Sequence, residues 1–257
     1  MSCREWVRIT PLTIPGVLEA PDIGKRFWKF NFRELFDRDS EVIRELAKKL
    51  MRAEHICRYI IEEIKYPFWF GQPDDKHVWN AFHGKFCVKV KHDFWQKASE
   101  TAVAKYGDCE DKTILWVTLM DMNLYKCYGF LGVVYYKDKP LGGHAWGAFE
   151  DEKGNWRLYE STLEKAPTYP EGYPVIPDPN TTNEFEVGRL RYVAIARFTT
   201  EEFWLSKRGV GIMTLKEYLT LPHKKKHTRK KIKLIRKAWA EYHKYLIETK
   251  LREMTGR

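Results

Sequence analysis

The chain has 257 residues, of which 44% are hydrophobic and 15% aromatic. This composition excludes general disorder and suffices for one substantial core with extensions. No apolar run reaches the roughly 18 residues that a membrane span needs, and the N-terminus lacks the apolar core of a signal peptide, so we expect a cytoplasmic protein without a membrane span. Five cysteines are widely spread, with no C-x-x-C pair, which argues against a disulfide framework or a zinc site.

Residues 1–40 are interrupted by prolines, and we expect this segment to pack on the main body through aromatic and aliphatic side chains that include Phe32, Leu35 and Phe36. Apolar residues then recur at helical spacing, which predicts one helix from Glu41 to about Lys65.

The segment Tyr106-Gly107-Asp108-Cys109-Glu110-Asp111-Lys112 has the features of a helix start. Gly107 permits a tight turn, Asp108 is a good N-cap, and Asp111 can complete a capping box. The apolar residues that follow predict a buried helix from about Cys109 to Met122. The N-terminus of a helix favours a thiolate at Cys109, whereas the three neighbouring acids oppose it, so a nearby cation is needed.

Two strands downstream carry candidates for that cation and its partner. A first strand is predicted over residues 127–136, and Gly142-Gly143-His144-Ala145-Trp146 begins the next one. Turn residues 151–155 lead to a further strand that ends near Glu160. An antiparallel hairpin of this kind can place His144 beside Glu160, which is the arrangement of nucleophile, base and orienting acid in cysteine hydrolases and acyltransferases.

These motifs, in this order, resemble the transglutaminase-like superfamily over roughly residues 45–165. The resemblance implies an α+β, papain-like core in which a central catalytic helix packs on an antiparallel β-sheet. It also implies that Cys109 is the nucleophile, His144 the base and Glu160 the orienting acid. The family usually has Asp at the third position, and Glu160 is one methylene longer.

Papain-like enzymes also use a donor for the oxyanion, and the polar-tipped candidates upstream of the cysteine are Gln96 and Trp79. We expect no cofactor. The histidines His77, His83 and His92 are irregularly spaced and match no recognised zinc pattern, so we predict no metal site.

Beyond the candidate centre, five prolines predict a long loop over residues 164–188. Alternating residues predict a strand over 189–198, and Thr199 to Glu202 is interpreted as the start of a short helix.

The C-terminal segment is strongly basic, because Lys224 to Lys237 contains nine Lys or Arg and no acid. Apolar positions from Ile232 onward fall on one helical face and predict an amphipathic helix. Such a helix can bind nucleic acid or another polyanion weakly and in a salt-dependent manner. It can also contact an anionic membrane surface, or simply pack on the core through Trp239.

The sequence therefore predicts an N-terminal extension (1–40), a transglutaminase-like catalytic domain (41–205) and a basic helical C-terminal extension (206–257). The favoured function is cysteine-dependent cleavage or transfer at an amide bond of a protein or peptide substrate, through a thioester. Water as acceptor makes the protein a peptidase or amidase, and an amine makes it a transglutaminase. The alternatives are a non-catalytic binding module on the same fold and a nucleic-acid-binding protein that uses Lys224–Lys237.

Overall fold

The structure is a computed structural model that describes residues 6–8, 32–66, 95–206 and most positions between 233 and 248. It combines helices with an antiparallel sheet, so the α+β prediction is confirmed. The elements are a 3-10 helix (Phe32–Leu35), α1 (Glu41–Lys49), α2 (Ala53–Glu62), α3 (Ala98–Ala104), α4 (Cys109–Met122), β1 (Trp6–Arg8), β2 (Cys127–Tyr136), β3 (Lys139–Glu150), β4 (Trp156–Tyr159), β5 (Glu184–Val187), β6 (Leu190–Phe198) and β7 (Phe203–Ser206).

In the part of the chain that the structure describes, seven strands form one sheet. Six of them follow the order β1-β7-β6-β2-β3-β4, and β5 pairs with β6. All of these strand pairs are antiparallel. The long strands β2 and β6 lie at the centre, where they are paired on both sides and their side chains are almost entirely buried. The long strand β3 pairs with β2 along its length and with β4 only at its end. The centre of the sheet is therefore the rigid part of the fold.

Helix α4 packs against β2 and β3. Its residues from Glu110 to Met120 are buried on all sides, as expected for a helix in the middle of a domain. Close approach to β3 depends on Gly147, since a Cβ atom there would lie 2.4 Å from the Trp116 ring. Trp116 in turn stacks on Tyr159 of β4, with ring centroids 4.3 Å apart. The second turn of α4 is thereby held against the β3–β4 hairpin.

The single helix predicted over 41–65 is wrong, because the chain breaks between α1 and α2 at residues 50–52. The break contains neither Gly nor Pro. Side chains from the end of α4 bind carbonyls around it: Asn123 Nδ2 donates to Ala47 O at 3.4 Å, and Tyr125 OH donates to Met51 O at 3.2 Å. Tertiary contacts therefore replace helical hydrogen bonds at this point.

Two further predictions after the hairpin are wrong. The segment predicted as a loop over 164–188 contains β5, whose residues alternate between exposed glutamates and buried apolar side chains. Instead of a helix at Thr199, a turn joins β6 to β7: Thr199 N–H donates to Glu202 O, and the Thr199 hydroxyl accepts the N–H groups of Glu201 and Glu202. This side-chain cap closes a hairpin because Phe203 then pairs with Phe198.

The predicted packing of Phe32, Leu35 and Phe36 is confirmed, since all three are buried and Phe32 contacts Phe198 and Phe203 edge-on. The described positions between 233 and 248 are helical. There, Tyr242 is buried and Glu241 accepts a hydrogen bond from the Tyr136 hydroxyl. Within the described part of the chain, no helix has the length and apolar character needed to cross a bilayer.

Candidate active site

Cys109 is the first residue of α4, and two neighbours of its sulfur have opposite effects on its ionisation. The thiol donates to Glu110 Oε2 at 3.1 Å, while the backbone N–H of Ala145 donates to the sulfur. Removal of water around the sulfur and the negative charges of Glu110 and Asp108 raise the pKa of Cys109 well above its usual value, and the Ala145 N–H only partly offsets them. The surroundings of the sulfur thus oppose ionisation of the thiol.

His144 lies in β3 opposite Gly132 of β2, and the structure brings it to Glu160. The Nε2 atom lies 3.0 Å from Glu160 Oε1 and 2.9 Å from Oε2. Glu160 follows directly after β4 and is fully buried, and His144 is 8% exposed. Because Ala145 follows His144 and its N–H donates to the Cys109 sulfur, the β3 backbone at these two residues lies beside the first turn of α4.

Glu160 remains an anion although it has no contact with solvent. Burial raises its pKa, but the charge and hydrogen bond of His144 and two bonds from Thr162 outweigh that effect, so the pKa lies below its usual value. Thr162 donates its N–H at 3.1 Å and its hydroxyl at 2.6 Å to Oε1. The Tyr192 hydroxyl donates to Oε2 at 3.2 Å. The buried carboxylate is therefore well supplied with donors.

Gln96 is fully buried and is bound to the N-terminus of α4. Its Nε2 donates to Asp111 Oδ2 at 2.6 Å and to Tyr106 O at 3.1 Å, and its backbone N–H donates to Asp111 Oδ1 at 2.7 Å. Both amide hydrogens are engaged, so in this geometry the side chain anchors the helix start and offers no donor to an oxyanion. Trp79, the other candidate, lies outside the described residues.

Asp111 completes the predicted capping box, since its Oδ2 accepts the Asp108 N–H at 3.3 Å. Burial and the neighbouring Glu110 raise the pKa of Asp111 to about 8, against the lowering effect of the N–H donors of Gln96 and Asp108. A carboxyl group at this point therefore titrates close to neutral pH. Asp111 therefore adds less negative charge beside Cys109 than a fully ionised carboxylate would.

Lys112, one turn after Cys109, was missed by the sequence analysis. It is fully buried, and its Nζ donates to Ile64 O at 2.7 Å, with Ile61 O at 3.5 Å. Burial lowers its pKa to about 7, with Glu160 opposing and Lys65 adding to that shift. The sequence contained a signal for this burial, because Lys112 stands in the predicted helix directly before a long apolar run.

A cavity of about 310 Å³ adjoins Lys112. It lies between the end of α2, the first turns of α4 and the chain after Glu160. Its lining combines two lysines and two glutamates with apolar and aromatic residues: Ile61, Glu62, Ile64, Lys65, Tyr66, Lys112, Leu163 and Glu164.

The carboxylates of Asp108 and Glu110 and the sulfur of Cys109 present ligand atoms within 4.8 Å of one another. Within the described residues, this is the set that could hold a cation. Two carboxylates suit a hard ion such as Ca²⁺ or Mg²⁺, whereas the sulfur suits softer metals. The predicted absence of a metal site stays a prediction. His77, His83 and His92 lie outside the described residues.

Comparison with models of protein families and with curated protein sequences gave no match. Among solved structures, the chain is similar to a proposed cysteine protease from Cytophaga hutchinsonii, with 17% identity over 60% of this chain and 46% of that one and a TM-score of 0.35. The match thus spans less than half of the Cytophaga protein.

The chain is also similar to LapG from Legionella pneumophila. The calcium-bound form matches with 15% identity over 72% of this chain and 81% of that one and a TM-score of 0.33. A second LapG structure matches with 14% identity over 73% and 82% and a TM-score of 0.34. At TM-scores of 0.35 or below these resemblances are distant, so the chemistry of this chain is argued from its own residues.

Proposed function

We propose that this protein is a cysteine-dependent hydrolase of the papain-like, transglutaminase-like type that acts on amide bonds of a protein or peptide. The observation that carries the proposal is the buried hydrogen-bonded pair of His144 in β3 and Glu160 after β4. Ala145, the residue after His144, donates its N–H to the Cys109 sulfur. A binding module needs neither a buried imidazole hydrogen-bonded to a carboxylate nor a cysteine at a helix N-terminus beside that strand.

In the proposed reaction, the imidazole of His144 takes the thiol proton, and the Cys109 sulfur attacks the carbonyl carbon. Because Glu160 engages Nε2, the atom that serves the thiol would be Nδ1. The tetrahedral intermediate collapses, the C–N bond breaks, and the imidazolium gives its proton to the departing amine. A water molecule then attacks the thioester, loses a proton to His144 and releases the acid together with the free thiol.

Glu160 would keep the imidazole in one tautomer and stabilise its protonated form, and would itself stay ionised throughout. An amine in place of water would yield a transamidation product through the same thioester. We favour water as the acceptor. The domain division at residues 40 and 205 stays a prediction alongside this function.

The experiment that tests the proposal is alkylation of the native protein with iodoacetamide between about pH 4 and pH 9, followed by peptide mapping. Modification of Cys109 below the free-thiol pKa of about 8.5, abolished in His144→Ala, is the expected result. The buried cysteines Cys57 and Cys127 serve as internal references. Cys109→Ala should remove the labelled peptide and any hydrolysis of casein while leaving the thermal unfolding curve in place.

One observation favours a binding module instead, namely the raised pKa of Cys109 beside Asp108 and Glu110. If Cys109 reacts only above about pH 8.5 and equally well without His144, the thiol is not activated, and the binding module becomes the better description.

A further inference from the structure

Besides His144, a hydroxyl group donates a hydrogen bond to each of the two carboxylate oxygens of Glu160. Thr162 Oγ1 binds Oε1 at 2.6 Å, and the Tyr192 hydroxyl binds Oε2 at 3.2 Å. His144 Nε2 approaches both oxygens, at 3.0 and 2.9 Å. Each oxygen thus contacts both the imidazole and one hydroxyl group. The two hydroxyl groups therefore fix the plane of the carboxylate together with the histidine.

Tyr192 is itself immobilised by the centre of the sheet. It belongs to β6 and pairs with Val134 of β2 on one side and with Phe185 of β5 on the other. The side chain is fully buried. Burial and the negative charge of Glu160 raise the pKa of Tyr192 well above its usual value, so the hydroxyl remains protonated and can donate throughout the range in which a thiol enzyme works.

The same tyrosine reaches His144 by a second route. Its ring meets Trp146 edge-on at a centroid distance of 5.2 Å. Trp146 in turn lies nearly parallel to the imidazole of His144, with centroids 6.3 Å apart and an interplanar angle of 21°. Glu160, His144, Trp146 and Tyr192 therefore form a closed ring of contacts, in which the imidazole is constrained both at Nε2 and along one face.

We propose that Tyr192 and Thr162 are positioning residues of the thiol centre, which hold the long Glu160 side chain so that His144 is presented to Cys109 in one orientation. This inference rests on the proposed function of Cys109, His144 and Glu160. It also accounts for a glutamate at the position of the orienting acid: the extra methylene allows more rotamers than aspartate has, and a hydroxyl on each oxygen removes that freedom.

The test uses two pairs of variants of the full chain. Tyr192→Phe removes only the hydroxyl and keeps the ring against Trp146. Its control is Tyr159→Phe, because Tyr159 is equally buried but its hydroxyl faces the carbonyl of Cys57 at 3.4 Å. Thr162→Val removes the second hydroxyl at constant shape, and Thr162→Ser keeps it.

Two readouts are recorded for each variant. The first is the iodoacetamide alkylation rate of Cys109 at pH 7. The second is the exchange rate of the His144 Nε2 proton, observed as a downfield NMR resonance and assigned by its loss in His144→Ala. A residue that merely fills space would change neither readout once folding is verified by thermal unfolding.

We expect Tyr192→Phe and Thr162→Val each to slow alkylation by about tenfold, the usual scale for one hydrogen bond to a charged group, and to speed exchange of the imidazole proton. Thr162→Ser and Tyr159→Phe should stay within about twofold of the original protein, less than the loss of one such bond. Unchanged alkylation and exchange in Tyr192→Phe would overturn the proposal.

The failure of the proposed function looks different. If alkylation of Cys109 in the original protein does not depend on His144, the hydrolase proposal fails, and the exchange rate of the Nε2 proton alone decides the positioning role. Faster exchange in Tyr192→Phe then supports it, and equal exchange removes it. Should Tyr192→Phe not fold, the comparison of Thr162→Val with Thr162→Ser decides in the same way.

Discussion

The Nζ atom of Lys112 lies 2.7 Å from the backbone carbonyl oxygen of Ile64. This contact joins the first turns of α4 to the end of α2. A second connection runs parallel to it, since Lys65 N–H donates to Lys105 O and Gly107 N–H donates to Lys65 O. The chain on both sides of Cys109 is therefore bonded to the residues that directly follow α2, by its backbone before Cys109 and by the Lys112 side chain after it.

Replacement of the buried Lys112 by Met should change how stability depends on pH. Burial lowers the pKa of Lys112 from 10.5 to about 7 in the folded chain. Between these values the unfolded chain binds a proton that the folded chain lacks, so the free energy of unfolding rises with pH, by about 1 kcal/mol per unit. We expect Lys112→Met to lose this rise, measured by urea unfolding between about pH 7 and pH 10.

The matched control is Lys153→Met in the exposed turn between β3 and β4, which should keep the rise. The same pH slope in Lys112→Met as in the original protein would show that Lys112 is charged in the folded state.

Neutralising Glu110 should make Cys109 more acidic. The Glu110 carboxylate lies 3.1 Å from the sulfur and contributes to the raised pKa of the thiol. Glu110→Gln keeps an acceptor oxygen but removes the charge, so the midpoint of iodoacetamide labelling should move to lower pH. Glu152→Gln, at an exposed position of the β3–β4 turn, should leave the midpoint in place. A midpoint that stays or moves upward in Glu110→Gln would contradict this account of the thiol.

Shortening Glu160 to Asp should weaken the centre, although aspartate is the usual residue at this position in the family that the sequence resembles. One methylene withdraws the carboxylate by about 1.5 Å, the length of a carbon–carbon bond. The contacts at 2.9 and 3.0 Å to His144 would then be lost. We expect alkylation of Cys109 at pH 7 to slow by about tenfold or more.

Glu160→Gln is the comparison for charge at constant length. It should also slow alkylation, because it removes the anion that stabilises the imidazolium. A Glu160→Asp variant that reacts as fast as the original protein would show that the sheet can adjust to the shorter acid.

A methyl group at Gly147 should destabilise the packing of α4 on the sheet. The added Cβ would lie 2.4 Å from the Trp116 ring, and overpacking of this kind typically costs about 1–3 kcal/mol. We expect Gly147→Ala to lower the urea midpoint. The double variant Gly147→Ala, Trp116→Leu should lose less than the sum of the two single changes, because the smaller side chain relieves the clash. Strictly additive losses would show that the destabilisation by Gly147→Ala does not come from a clash with the Trp116 ring.

The sequence by itself determined the elements whose causes are local. Asp108 and Asp111 cap α4, and the prediction of Cys109 to Met122 agrees with the structure because capping acts within one turn. The strand over 127–136 was likewise predicted to the residue, since β-branched and aromatic side chains dominate it. The alternation of exposed and buried residues in β5 was also present, but the surrounding prolines obscured it.

Only the tertiary structure decided the rest, because the contacts responsible join residues far apart in the chain. The break between α1 and α2 depends on Asn123 and Tyr125 from the end of α4. The Tyr192 hydroxyl donates to Glu160, which lies 32 positions earlier in the chain, and Lys112 Nζ donates to the carbonyl of Ile64, 48 positions earlier. Motif spacing pointed to Cys109, His144 and Glu160, whereas the donors around the acid and the pKa of the thiol follow from burial, which no local pattern specifies.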